Sequence, residues 1–113
     1  MGAGPSRKAL IPHLRFTTAA RDDLTEIALY VAEQSGSRSV AAAFRKQLRQ
    51  KCERLASLPG TMGRDRSELA LGLRSSVFRG YVIFYRYVDN AMEIVNILEG
   101  HRDIETFYRE DEA

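Results

Sequence analysis

The stretch from Leu71 to Arg102, LGLRSSVFRGYVIFYRYVDNAMEIVNILEGHR, constrains this chain more than any other. It reads as three short strands, Leu73–Phe78, Tyr81–Val88 and Met92–Leu98, separated by Arg79-Gly80 and Asp89-Asn90. Aromatic and β-branched residues fill the second strand, and Gly80 supplies the positive φ that a two-residue hairpin turn needs. No charge interrupts Tyr81–Tyr85 or Ile94–Leu98, so both runs are expected at the centre of a sheet. Alternation along the strands assigns Leu73, Val77, Ile83, Tyr85, Val95 and Ile97 to the core. It leaves Arg74, Phe84, Arg86 and Asn96 on a more open face, with Ile94 and Leu98 falling on that side too. Arginine, amide and large apolar groups together are unusual for surface that meets only water.

Upstream, His13–Thr17 alternates around Leu14 and Phe16 and is expected to form a short strand. Thr18 is placed to cap a helix from Ala19 to about Gln34, whose stripe is Ala20, Leu24, Ile27, Ala28 and Val31. Ser35-Gly36-Ser37 turns the chain into a second helix, about Ser39 to Leu58, buried through Val40, Phe44, Leu48, Cys52 and Leu55. So short a connection makes the two helices antiparallel neighbours. Thr61–Ala70 reads as a polar, basic loop, and Ile104–Tyr108 as a short helical end. The order strand, helix, helix, three-stranded meander predicts an α+β fold: a small antiparallel sheet with the helical hairpin on one face. Residues 1–12 are read as a flexible leader, 13–108 as the single domain, and 109–113 as an acidic tail.

With 113 residues there is room for one core. A hydrophobic fraction of 44% and a charged fraction of 28% are those of an ordinary globule. No apolar run nears the roughly 20 residues that span a bilayer, and no secretory signal pattern opens the chain. Cys52 is the single cysteine, so a reducing, cytoplasmic setting is expected and an internal disulfide is excluded. One cysteine and the distant His13 and His101 do not make a zinc ligand set, and no metal, cofactor or small-molecule ligand is expected. The net charge of +2 is too small to argue for nucleic acid by itself. Arginines nevertheless far outnumber Lys8, Lys46 and Lys51, which suits forked contacts to carboxylates or phosphates as well as it suits a GC-rich codon bias.

Several segments, taken in order, resemble the ParE toxins of the RelE/ParE superfamily, over roughly Leu14 to Phe107. Ala20…Asp23-Leu24…Ile27…Tyr30 is similar to the family's first helix. Leu55-Ala56…Pro59…Gly63-Arg64…Arg66…Glu68-Leu69…Gly72-Leu73-Arg74-Ser75 resembles its loop and following strand. Tyr81-Val82-Ile83-Phe84-Tyr85-Arg86 and Glu93-Ile94-Val95…Ile97-Leu98 resemble its last two strands, and Gly100…Arg102-Asp103-Ile104 its C-terminal signature. In one departure, Glu99 stands where many relatives carry histidine, and His101 follows the glycine instead. The resemblance implies a cytoplasmic toxin, paired in a hetero-oligomer with a ParD-like antitoxin and acting on DNA gyrase or a related topoisomerase. RelE-like cousins cut messenger RNA on the ribosome, and an inactive antitoxin-binding relative is a third reading.

These readings draw on different residues. RNA cleavage needs proton transfer and neutralisation of a phosphorane-like transition state, for which Arg74, Arg86 and His101 are the candidates. A non-enzymatic toxin needs contact residues alone. Arg64, Arg66, Arg74, Arg86 and Arg102 are the candidate target contacts; the plain alternatives are solvated charge for Arg64 and Arg66, a loop-fixing pair with Glu68, Asp103 or a backbone carbonyl for Arg74 and Arg86, and a latch on the final helical turn for Arg102. Tyr30, Phe78 and Phe84 are candidate antitoxin anchors, since aromatic residues dominate such interfaces and core packing is their alternative. An antitoxin tail is expected to lay a helix in a groove and add a strand to an open sheet edge.

Overall fold

A computed structural model describes residues 12–112, with side chains through Arg109. The expected leader therefore falls almost wholly outside the described residues. The elements are β1 (His13–Phe16), α1 (Thr18–Ser35), α2 (Arg38–Ser57), β2 (Arg64–Asp65), β3 (Arg74–Phe78), β4 (Tyr81–Val88), β5 (Ala91–Glu99) and α3 (Ile104–Glu112). One five-stranded sheet has the order β1-β5-β4-β3-β2. The α+β architecture is the one expected, and one pairing makes the sheet mixed: β1 runs parallel to β5, while the remaining pairs are antiparallel. A parallel pair needs a long crossover, and everything between Phe16 and Ala91 provides it.

Local chemistry sets the element ends. Thr17, not Thr18, caps α1: its hydroxyl accepts from the Ala20 amide at 3.0 Å and donates to the Val95 carbonyl at 2.8 Å. One side chain thus starts the helix and fastens it to β5. Gly36 ends α1 in the left-handed conformation, with φ 69° and its amide on the Ala32 carbonyl. Ser37 then caps α2. Arg79 and Gly80 both have positive φ, which gives the β3–β4 hairpin the twist its strands require.

The sheet is covered on both faces, and this revises several face assignments. The helical hairpin packs on the inner face over Phe16, Ile83, Tyr85, Met92, Ile94 and Ile97. On the outer face α3 covers Leu69, Leu73, Phe84 and Leu98 with Tyr108. Phe84 is therefore fully buried, not open, and meets Tyr108 edge-on at 5.2 Å. Asn96 is buried as well, accepting from the Tyr108 hydroxyl. In β3 the expected faces are exchanged. Leu73, Ser75 and Val77 lie outward and Arg74, Ser76 and Phe78 inward, so Val77, expected in the core, is 67% exposed.

A bulge explains β5. Phe84 pairs with Asn96 and Tyr85 with Ile94, leaving Val95 unopposed. That extra residue breaks the alternation, so Ile94 and Ile97 both reach the inner core although odd spacing would separate them. In α2 Val40 is largely exposed, and Ala41 occupies the buried position beside it. The helix α3 continues to Glu112, so the expected tail begins as helix. Cys52 is a buried filler, and desolvation pushes its thiol up to about 12.

The loop before β3 is clasped to the sheet. The Tyr85 hydroxyl and the Arg74 Nε both donate to the Met62 carbonyl at 2.8 Å, while Arg74 Nη2 donates to the Gly63 carbonyl at 2.8 Å. The Met62 amide donates to the Tyr87 hydroxyl. Gly63 sits at φ 81°, and a Cβ there would lie 1.9 Å from the Tyr85 hydroxyl and 2.6 Å from the Ser75 carbonyl. Gly63→Ala is therefore expected to cost ~2–4 kcal/mol by thermal or denaturant unfolding. Phe84→Ala, which empties the outer core, is expected to cost ~3–5 kcal/mol, whereas Val77→Ala shifts the midpoint little.

Candidate functional site

The arginines expected at one face are distributed among different tasks. Arg74 lies on the inner side, where its guanidinium is spent on the two loop carbonyls. Arg86, one residue beyond Tyr85, lies outward and half exposed, its Nε on Glu93 Oε1 at 3.3 Å. From the other side of β5, Arg15 Nε donates to Glu93 Oε2 at 3.1 Å. Arg66 donates to Glu68 and stacks over the Phe84 ring with its carbon 5.8 Å from the centroid. Arg64 is exposed on β2, and Arg102 is exposed after β5, 4.7 Å above the Phe107 ring.

His101 lies at the other end of the sheet. Gly100 bonds back to Gly80 at the tip of the β3–β4 hairpin, whereas Arg86 and Arg74 sit opposite the first half of β5. Five strand positions separate Ile94 from Glu99, a span of roughly 15 Å or more. The three candidates for RNA cleavage are thus not brought together: Arg74 and Arg86 point to opposite faces, and His101 is remote from both. The His101 ring bonds Glu99 at 2.7 Å, and that bond together with the carboxylate charge raises its pKa above the ordinary value. The same contact lowers that of Glu99.

A groove of about 420 Å³ opens between α1 and the last part of β5. Tyr30 and Tyr81 form its aromatic walls, and Asp23, Glu26, Glu99 and Arg102 supply its charge. Tyr30 is 56% exposed and Phe78, the register partner of Tyr81, is partly exposed, so two of the three expected anchors lie at this end. The third, Phe84, is sealed under α3. Among the described residues β5 has no partner strand on this side beyond Phe16, and Asp23 takes its place. The Asp23 carboxylate accepts from the Ile97 amide at 2.8 Å and from the Asn96 side chain at 3.3 Å. Burial raises its pKa, and those two hydrogen bonds oppose the shift.

Asp23 and Glu93 enter the sequence reading only as members of the resembling segments, and Arg15 only by its place between Leu14 and Phe16. Their importance comes from strand pairing and helix docking, which no local pattern encodes; the alternation of Arg15 between Leu14 and Phe16 was the only available sign that it faces outward. Among the described residues no cluster could hold a metal ion, and no helix is long and apolar enough to cross a membrane.

For His101, folding favours the protonated ring, so the interaction is present below the unfolded-state pKa and is lost as pH rises through the folded value. For Glu99 the sense is opposite: it is present above its unfolded value and lost as pH falls. The contact therefore spans the interval between the lowered Glu99 and raised His101 values. An NMR titration should place His101 above ordinary histidine, and Glu99→Gln should bring it down; an unchanged value in that variant would remove Glu99 as the cause.

The family model for the ParE toxin of type II toxin–antitoxin systems, parDE, matches residues 14–104. Among solved structures, the chromosomal ParDE system from P. aeruginosa is similar in fold, with a TM-score of 0.69 and 18% identity over 79% of this chain and 96% of that one. No curated protein matches the chain significantly.

Proposed function

Since the chain belongs to the ParE toxin family of type II toxin–antitoxin systems, we propose that it is a non-enzymatic toxin that inhibits DNA gyrase and is silenced by a ParD-like antitoxin. The observation that supports binding over RNA cleavage is the separation of Arg74, Arg86 and His101. General acid–base catalysis needs its groups within hydrogen-bond reach of one reacting phosphate. Arg64, Arg66, Arg86 and Arg102 are the proposed target contacts, while Arg74 serves the fold. Tyr30 and Phe78 are the proposed antitoxin anchors, beside the groove between α1 and β5. The protein works in the cytoplasm, in a hetero-oligomer with its antitoxin.

Purified protein should inhibit supercoiling by gyrase and accumulate cleaved DNA, with reversal by the antitoxin. Messenger RNA on ribosomes should stay intact; cleavage there with gyrase untouched would overturn the reading. Arg102→Ala is expected to reduce gyrase inhibition at least tenfold. Tyr30→Ala should weaken antitoxin binding about tenfold or more without lowering the unfolding midpoint, as calorimetric titration and thermal melts would show.

A further inference from the structure

The register places Arg15, Glu93 and Arg86 on one line across three strands of the outer face, since Glu93 pairs with Arg15 on β1 and with Arg86 on β4. Adjacent strands lie about 4.8 Å apart, so the two arginine backbones are about 10 Å apart with the glutamate midway. Each guanidinium donates its Nε to a different oxygen of the one carboxylate. Their Nη groups make no hydrogen bond among the described residues. The side chains of Arg15 and Arg86 are 49% and 48% exposed, against 16% for Glu93. The carboxylate is thus sunk between two outward cations.

Exposed ion pairs of this kind contribute little to stability, so holding the fold does not account for the row. What it does is fix two long, otherwise mobile side chains by one nitrogen each, leaving the two-pronged ends available in a set orientation. Such ends match the oxygens of a phosphate. Other arginines are differently occupied: Arg74 by loop carbonyls, Arg66 by Glu68, and Arg79 by Gln47.

We propose that the Arg15–Glu93–Arg86 row is a clamp for the phosphodiester backbone of duplex DNA. An acidic protein segment is the competing ligand, but protein interfaces are anchored by buried aromatic or apolar side chains. None of the exposed large apolar residues, Leu29, Tyr30, Val40, Leu58, Leu71 and Val77, lies on β1, β4 or β5, the strands that carry the row. Backbone contacts to DNA need only charge and donors, without reading sequence. The assignment rests on the topoisomerase reading, in which the target presents duplex DNA beside the toxin.

The test is fluorescence anisotropy of a labelled 30-base-pair duplex of arbitrary sequence, titrated with the full chain between 50 and 200 mM salt (conditions of about this order serve the salt analysis). Arg15→Ala/Arg86→Ala should lower affinity at least tenfold at the lower salt and flatten the log–log salt slope by about 2. The double lysine variant keeps the charge but lacks the fork, so it should restore the salt slope while recovering only part of the affinity. Arg38→Ala/Arg45→Ala, on the helical hairpin, should bind as the parent does. Equal loss in both alanine pairs, or none in the first with its melting curve unchanged, would overturn the clamp. So would a double variant that keeps duplex binding but loses a polyglutamate peptide. A cleavage assay with gyrase separates the two proposals. Trapping by the parent together with unchanged duplex binding in Arg15→Ala/Arg86→Ala removes the clamp and leaves the toxin reading, whereas duplex binding that is lost in that pair, without any trapping by the parent, removes the toxin reading and leaves the clamp.

Discussion

Everything in this fold depends on two neighbouring residues of β4 being buried in opposite directions. Tyr85 enters the helical hairpin and Phe84 enters the layer under α3, and neither reaches solvent. A sheet so covered on both sides can carry long uncharged runs at its centre, as this one does. It also makes the C-terminal helix part of the core. The polar tip of Tyr85 extends that role, because its hydroxyl shares the Met62 carbonyl with Arg74 and holds the loop leading into β2.

Burial on the outer side limits what that surface offers a partner. The broad mixed face read from alternation does not exist; α3 occupies most of its apolar part. What remains is a basic margin beside the helix, where Arg15, Arg86 and Arg64 reach solvent, and a separate aromatic and acidic groove at the far end near Tyr30. The two regions differ in charge and in the kind of contact they favour.

Much of the architecture was legible because strong local signals agreed. The β4 limits, both hairpin turns, the Gly36 stop and the order of elements follow from β-branched runs, positive-φ positions and helical stripes. The errors arose where a tertiary partner decided the matter. Alternation in β3 gives two faces but not which one is inward, and Leu73 satisfied either choice once α3 supplied a second core. The Val95 bulge is invisible locally, so Ile94 appeared misplaced. Thr17 and Thr18 are equally good caps in isolation, and only the Val95 carbonyl within reach of Thr17 distinguishes them. For the site, arginine identity was readable, and so was the alternative that Arg74 fixes a loop through backbone carbonyls, which is what it does; the partner of Arg86, Glu93 on the neighbouring strand β5, was not.

The carboxylate of Asp23 has a further consequence. A sheet whose border shows unpaired amides and carbonyls invites lengthening by any extended chain, including another copy of itself. Along the end of β5 that invitation is withdrawn, because the Ile97 amide is already engaged by Asp23 and the Val95 carbonyl by Thr17. A foreign strand would have to evict a charged group and a helix cap together. This length of rim is closed to strand addition by side chains rather than by a neighbouring strand.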